Sequence, residues 1–286
     1  MQEIAPHIYI ETSYAGVTLG AINWSHGLIL IDAPFRAEDI RSWRSALLNL
    51  GGGVDRLLIN LDAHYDRTLG ARAMDCTLLG HEKMAQVFRN RPVTFKAQGT
   101  ETGAEWEQYN GLGSIRWAPP EITFTNDLFI HWDDSPLTLE DRPGPAAGSI
   151  WAILPNQKII FLGDTVVSNQ PPFLAGADLP AWIELLNLLL SEQYQNYTMI
   201  SGRGGLIAMD EVRAQLAFLT EARSLLTELI SAKAGADETA NLVAPLMKSF
   251  RLSNERRTQA ENRLRWGLHQ YYLRKTTPNS DDFLEE

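Results

Sequence analysis

The chain predicts a layered α/β fold followed by a helical C-terminal part, on three observations. Short apolar runs alternate with amphipathic stretches over the first two thirds. Glycine, proline and asparagine punctuate the junctions between them. From about residue 180 the apolar spacing changes to threes and fours, the period of a helix face. Strands alternating with helices imply a sheet covered by helices.

Leu28-Ile29-Leu30-Ile31 is a compact apolar run ending at Asp32-Ala33-Pro34, which reads as a buried strand and its turn. Residues 37–50 carry Ile40, Trp43, Leu47 and Leu50 on one face and stop at Gly51-Gly52-Gly53, the pattern of a terminated helix. Leu57-Leu58-Ile59 and Thr77-Leu78-Leu79 read as strands, and 82–90 as a helix. Residues 91–120 hold many glycines and prolines and a short helical piece near Trp106, the character of a long functional loop. Strands return at 122–124, 128–131, 150–154 and 159–162, the last two joined as a hairpin over Pro155-Asn156-Gln157-Lys158. Val212, Leu216, Leu219, Leu226 and Leu229 mark one helix, Leu242, Leu246 and Phe250 a second, and Leu264, Leu268 and Tyr271 a third. Over 255–275 six basic residues outnumber two acidic ones, read here as a solvated helix face. The tail at 279–286 is expected to fray.

Composition narrows the function classes. The chain has 286 residues, with 25 Lys+Arg against 35 Asp+Glu and a net charge of −10. That balance argues against a nucleic-acid binder, which needs a broad basic face. Cys76 is the single cysteine, so an internal disulfide and a cysteine-built zinc site are both excluded. No apolar run approaches the ~20 residues that span a bilayer, and the N-terminal residues lack a basic start and apolar core. A cytoplasmic protein without membrane contact is the expectation.

Three stretches carry the chemistry. Asn60-Leu61-Asp62-Ala63-His64-Tyr65-Asp66-Arg67 follows a strand and precedes a helix, and in an extended turn 62, 64 and 66 would share one side. Gly163-Asp164-Thr165 ends a strand. Ser201-Gly202-Arg203-Gly204-Gly205 is a strand followed by a glycine-rich turn. Strand ends in layered α/β folds are where sites collect.

With these motifs the chain resembles the metallo-β-lactamase superfamily over residues 4–206. The family's pattern is an Asp closing an early strand, H-x-H-x-D-H, a G-H-T-x-G-S turn, G-D, and G-H-G. Asp32, the turn Gly-Pro-Ala-Ala-Gly-Ser at 144–149, Gly163-Asp164 and Gly202-Arg203-Gly204 stand at the matching places. The resemblance implies a four-layer αββα sandwich over 1–206, with a helical extension over 207–278 packed on it. Of the family's metal ligands, His64, Asp66 and Asp164 remain, while Asp62, Arg67, Pro145 and Arg203 replace histidines. Arginine offers no lone pair, so the second metal position is lost. At the first, Asp62, His64 and Asp164 form an oxygen-rich set for at most one divalent ion: Mn, Fe, Mg or Zn.

A rival expectation follows from charge. Asp62, Asp66 and Asp164 bring −3 to one pocket, and Arg67 and Arg203 return +2. A protonated His64 would supply the third positive charge. Guanidinium forks bind carboxylates bidentately, so the arginines are expected to stand where the metal stood. The expected protein is therefore hydrolase-like but binds no metal tightly, and its old cleft takes a small anionic ligand or a partner, with Arg67 and Arg203 receiving the anion. The competing expectation is an active mononuclear hydrolase, with Asp66 and Asp164 as its catalytic carboxylates. Asp32 is expected to be a supporting carboxylate or turn cap. Tyr65, Trp106 and Cys76 are read as packing residues, and His7, His26, His81, His131 and His269 as non-ligands. A homo-oligomer remains open.

Overall fold

The computed structural model describes residues 1–95, 102–113 and 115–277. Two sheets form its centre. The first runs β1 (Gln2–Ala5), β2 (Ile8–Glu11), β3 (Leu19–Asn23), β4 (Gly27–Ile31), β5 (Asp55–Ile59), β6 (Thr77–His81) and β7 (Ile122–Phe124), in that spatial order. Its first four strands pair antiparallel and its last four parallel. Parallel pairs need crossovers. They contain α1 (Ala37–Leu47), the single turn α2 (Tyr65–Thr68) and α3 (Glu82–Asn90).

The second sheet consists of β8 (Asp127–Ile130), β9 (Leu137–Asp141), β10 (Ile150–Leu154), β11 (Ile159–Phe161), β12 (Thr198–Ser201) and β13 (Gly205–Ile207). Its spatial order is β13-β12-β11-β10-β9-β8. The hairpin expected at 155–158 joins β10 to β11 antiparallel. The parallel step to β12 crosses through α4 (Leu179–Leu189). The chain then becomes helical, with α5 (Met209–Ser231), α6 (Val243–Leu246) and α7 (Asn254–Thr276).

Side-chain alternation stacks these elements into four layers. Ile29 and Ile31 of β4 enter the core between the sheets, against Leu139, Ala152 and Phe161. Leu28 and Leu30 point the other way, onto Ile40 and Trp43 of α1. On β10, Ile150, Ala152 and Leu154 face the first sheet, while Trp151 and Ile153 face the other helical layer. This is the two-residue period of a strand applied to sheets buried on both faces. Val212 and Leu219 of α5 and Leu264 and Leu268 of α7 share that outer core with Trp182 of α4.

Two helix expectations are corrected. α1 stops at Leu47, and Leu50 reaches the same apolar cluster from beyond the helix. The pattern at 242–250 is not one helix but a 3-10 turn (Ala236–Leu242), α6 and another 3-10 turn (Met247–Ser249). Pro245 lies inside α6 and lacks the N–H that a longer helix would use. The expected frayed tail at 279–286 lies outside the described residues, as do 96–101 and 114 of the long loop. Among the described residues no helix is long and apolar enough to cross a membrane.

A buried charge cluster as candidate functional site

The strand ends converge on a group of ionisable side chains. Asp32 follows β4 in the left-handed region, at φ 58°. One of its oxygens accepts from the Leu61 amide at 3.0 Å and from Asn60 Nδ2 at 3.3 Å. Asp62 and His64 lie between β5 and α2, and Asp66 and Arg67 are in α2. Asp164 sits in the 3-10 turn Gly163–Thr165 and Arg203 in the turn from β12 to β13. Residue 165 anchors that 3-10 turn. Trp182 Nε1 and Gln215 Nε2 donate to its carbonyl at 2.7 and 2.6 Å, and Trp151 Nε1 donates to the Thr165 hydroxyl at 2.8 Å.

Arg67 is the hub. Its Nη1 lies 3.0 Å from Asp32 Oδ2, its Nε 3.0 Å from Asp62 Oδ1, and its Nη2 donates to Asp164 Oδ1. Arg203 takes the other side of Asp164, with Nε 2.9 Å from Oδ2, and pairs through Nη1 with Asp66. His64 Nδ1 stands 2.9 Å from Asp62 Oδ1 and 3.5 Å from Asp164 Oδ2. All of this is buried: Arg67 is 0% exposed, Asp164 and Arg203 4%, and His64, the most accessible member, 8%. Gly202 makes the space, because a Cβ there would lie 2.8 Å from Arg67 Nη2.

The extended turn expected at 62–66 is not found. Helix α2 starts at Tyr65, and Asp66 instead accepts from the Trp106 amide at 3.1 Å and from Arg203. The charge count also changes, since Asp32 joins as a fourth carboxylate. Four carboxylates and two guanidiniums leave −4 + 2 = −2, or −1 if His64 is protonated. Burial pushes the Asp32 carboxyl up to about 6; Arg67 opposes that rise and Asp62 adds to it. Burial acts the same way at Asp62 and Asp164 but is outweighed. Arg67 and His64 hold Asp62 below the ordinary carboxylate range, and Arg203 and Arg67 hold Asp164 far below it. Burial alone would loosen the proton on Arg67, but Asp164, Asp62 and Asp32 raise its affinity above that of an ordinary arginine. Burial, with the Asp62 charge adding to it, thus raises the proton affinity of Asp32, while the neighbouring cations lower those of Asp62 and Asp164.

Asp62, His64 and Asp164 each offer one ligand-type atom, all within 4.8 Å of one another. Asp62 Oδ2 is buried without a hydrogen-bond partner among the described residues. These two features suit a cation. Against it, Asp62 Oδ1 and both Asp164 oxygens already face guanidiniums. A divalent ion about 4 Å from one guanidinium would be repelled by roughly 8 kcal/mol at an effective dielectric of 20. A cation held there would have to compete with the guanidiniums for these oxygens.

The other singled-out residues lie elsewhere. His81 donates from Nε2 to the Thr125 carbonyl at 2.9 Å and caps α3 by accepting from the Lys83 amide. Tyr65 and Trp106 pack edge-to-face with each other and with Phe95. Cys76 is half-buried, with Sγ 3.3 Å from the Met74 carbonyl. Pro145 supplies no ligand, and His7, His26, His131 and His269 stand apart from the cluster. The solvated-face expectation for 255–275 fails at Arg263, which is 4% exposed and stacks over Phe173 at 5.0 Å. Phe173 in turn meets the His64 ring edge-on at 5.9 Å, so α7 reaches the site. Neither Gln215 nor Arg263 carried a motif. A glutamine on the apolar stripe of α5 was the one available signal.

No protein-family pattern and no curated protein sequence matches the chain. Solved structures do. A metallo-beta-lactamase family protein from Thermus thermophilus is 17% identical at a TM-score of 0.64, over 96% of this chain and 95% of that one. A metallo-beta-lactamase from Pontibacter korlensis is 19% identical at 0.58, over 77% of this chain and 97% of that one. The stereoselective inverting sec-alkylsulfatase from Pseudomonas sp. is 16% identical at 0.63, over 96% of this chain, which spans 50% of its length. Two stacked sheets between helical layers, with the charged cluster at their strand ends, give this chain the metallo-β-lactamase fold.

Proposed function

We propose that the chain is a hydrolase-like member of this fold that works without a tightly bound metal. Its role is binding of a small anionic ligand or a partner beside His64, the most accessible member of the cluster. One observation carries the reading: Arg67 and Arg203 together engage both oxygens of Asp164. A guanidinium cannot ligate a metal, but it neutralises carboxylates without dissociating. Because these guanidiniums are occupied by carboxylates, an anion approaching the cluster would meet His64 rather than Arg67 and Arg203, which were expected to receive it. Elemental analysis of purified protein, followed by calorimetric titration with Zn²⁺ and Mn²⁺, tests this. Substoichiometric metal and no tight binding are expected. One ion per chain that resists chelation would overturn it.

A second reading rests on the spacing of Asp62, His64 and Asp164 and on the unpartnered Asp62 Oδ2. One Mn, Fe, Mg or Zn ion held there would supply an activated water. His64 would have to give up any proton on Nδ1, and Asp66 would orient the attack. Metal-dependent turnover of a β-lactam or a secondary alkyl sulfate, lost in Asp62→Asn, would put this reading ahead.

A further inference from the structure

A second feature of the chain points to recognition and does not depend on the state of the charge cluster. A cavity of about 490 Å³ opens between the start of α1, the segment after α2, and residues 109–112 with 115 and 116. That volume is within the range that takes a small organic molecule, roughly 300–1,000 Å³. Its apolar lining includes Phe35, Ile40, Leu69 and Leu112, all buried. Around this surface stand three arginines, Arg36, Arg72 and Arg116, and one acid, Glu38. Arg36 pairs with Glu38 and lies over the Tyr109 ring at 4.7 Å. That pair is internally neutral.

Arg72 and Arg116 are different. Both are exposed, and neither has an acidic partner among the described residues. Arg72 makes only a long contact with the Trp117 carbonyl, at 3.4 Å. Two positive charges on one cavity without an acidic partner among the described residues stand out in a chain with a net charge of −10. Like charges that share a cavity are stabilised by an anion between them, and guanidinium forks favour planar or tetrahedral oxyanions. The apolar lining below offers a site for a hydrocarbon or aromatic body.

We propose that this cavity binds an amphipathic organic anion, with its carboxylate or phosphate head on Arg72 and Arg116 and its apolar body against Phe35, Ile40, Leu69 and Leu112. The proposal is separate from the metal-free reading, because none of these residues belongs to the charge cluster.

Isothermal titration with decanoate, decyl phosphate and decanol tests it on the full chain. Saturable one-to-one binding of decanoate or decyl phosphate is expected, with decanol at least tenfold weaker. The tighter of the two anions identifies the head group. Arg72→Ala and Arg116→Ala should each weaken anion binding by about tenfold, the scale of one lost charge-assisted hydrogen bond. Ala73→Trp, which fills the cavity from its lining, should abolish binding, with thermal unfolding showing that each variant folds. The proposal is overturned if neither anion binds. It is equally overturned if decanol matches the anions, or if Arg72→Ala/Arg116→Ala binds like the parent.

Discussion

Arg67 and Arg203 on one side, and Arg72 and Arg116 on the other, are the same residue type in opposite situations. The first pair is buried to 4% exposure or less, and its nitrogens face four carboxylates. The second pair is exposed on a cavity and lacks acidic partners among the described residues. A buried charge whose partner is removed stays desolvated, so breaking one side of such a pair costs about 3–5 kcal/mol. An exposed guanidinium is already hydrated, and its removal costs little. Removing a member of the buried pair is therefore expected to cost much more stability than removing one of the exposed pair.

The largest test of this contrast is Arg67→Met. It strands Asp32 and takes one cation from each of Asp62 and Asp164, which keep His64 and Arg203, and should destabilise by about 3–5 kcal/mol in denaturant unfolding. Arg203→His restores the family residue, yet it should also destabilise without metal, by less, because Asp164 keeps Arg67. If both variants match the parent in stability, the guanidiniums are not substituting for a cation.

Acidity probes the same cluster through Asp32. Its folded proton affinity is raised, to about 6, so the folded state binds this proton more tightly than the unfolded chain does. Stability from this group is fully present below the ordinary pKa near 4 and is lost as pH rises through 6. The shift from 3.8 to about 6 corresponds to about 3 kcal/mol. Asp62 and Asp164 act in reverse, because their affinities are lowered, and they lose stability as pH falls below about 4. Stability measured by unfolding from pH 3 to 8 should therefore peak near pH 4, decline between about 4 and 6, and level off above that. Asp32→Asn should flatten the decline between about 4 and 6, and an unchanged decline would remove Asp32 from this account.

Gly202→Ala should cost less, about 1–3 kcal/mol, since its Cβ would press on Arg67 Nη2 at 2.8 Å. Pairing it with Arg67→Met sharpens the assignment, because the glycine penalty should shrink once the guanidinium is gone. The smallest effect is expected at the cavity: Arg72→Ala and Arg116→Ala should stay within about 0.5 kcal/mol of the parent. A larger loss at either would mean that these arginines also hold the fold together.

Strand and helix positions over the first two thirds were legible in the sequence because both sheets bury both faces. A run such as Leu28-Ile29-Leu30-Ile31 is apolar throughout, since odd positions meet the second sheet and even positions meet α1. Helix α3 occupies 82–90 as its pattern predicts, with His81 capping it. The motif order also singled out Asp62, His64, Asp66, Arg67, Asp164 and Arg203, side chains that the structure brings into one cluster. Where the helix pattern misled, at 242–250, local backbone chemistry around Pro245 overrode the spacing.

Residue identity could be read before any folding: arginine where a lone pair would be needed, and three carboxylates against two arginines. Those facts follow from side-chain chemistry alone and hold in any conformation. Tertiary structure decided who pairs with whom. Only folding shows that Asp32, 35 residues from Arg67 in the chain, completes the cluster, or that Gln215 holds the turn next to Asp164. It likewise brings Arg263 over Phe173 and gathers Arg36, Arg72 and Arg116 around one cavity. Coulomb energy and burial depend on distance in space and on exclusion of water, and neither quantity is written in the spacing along the chain.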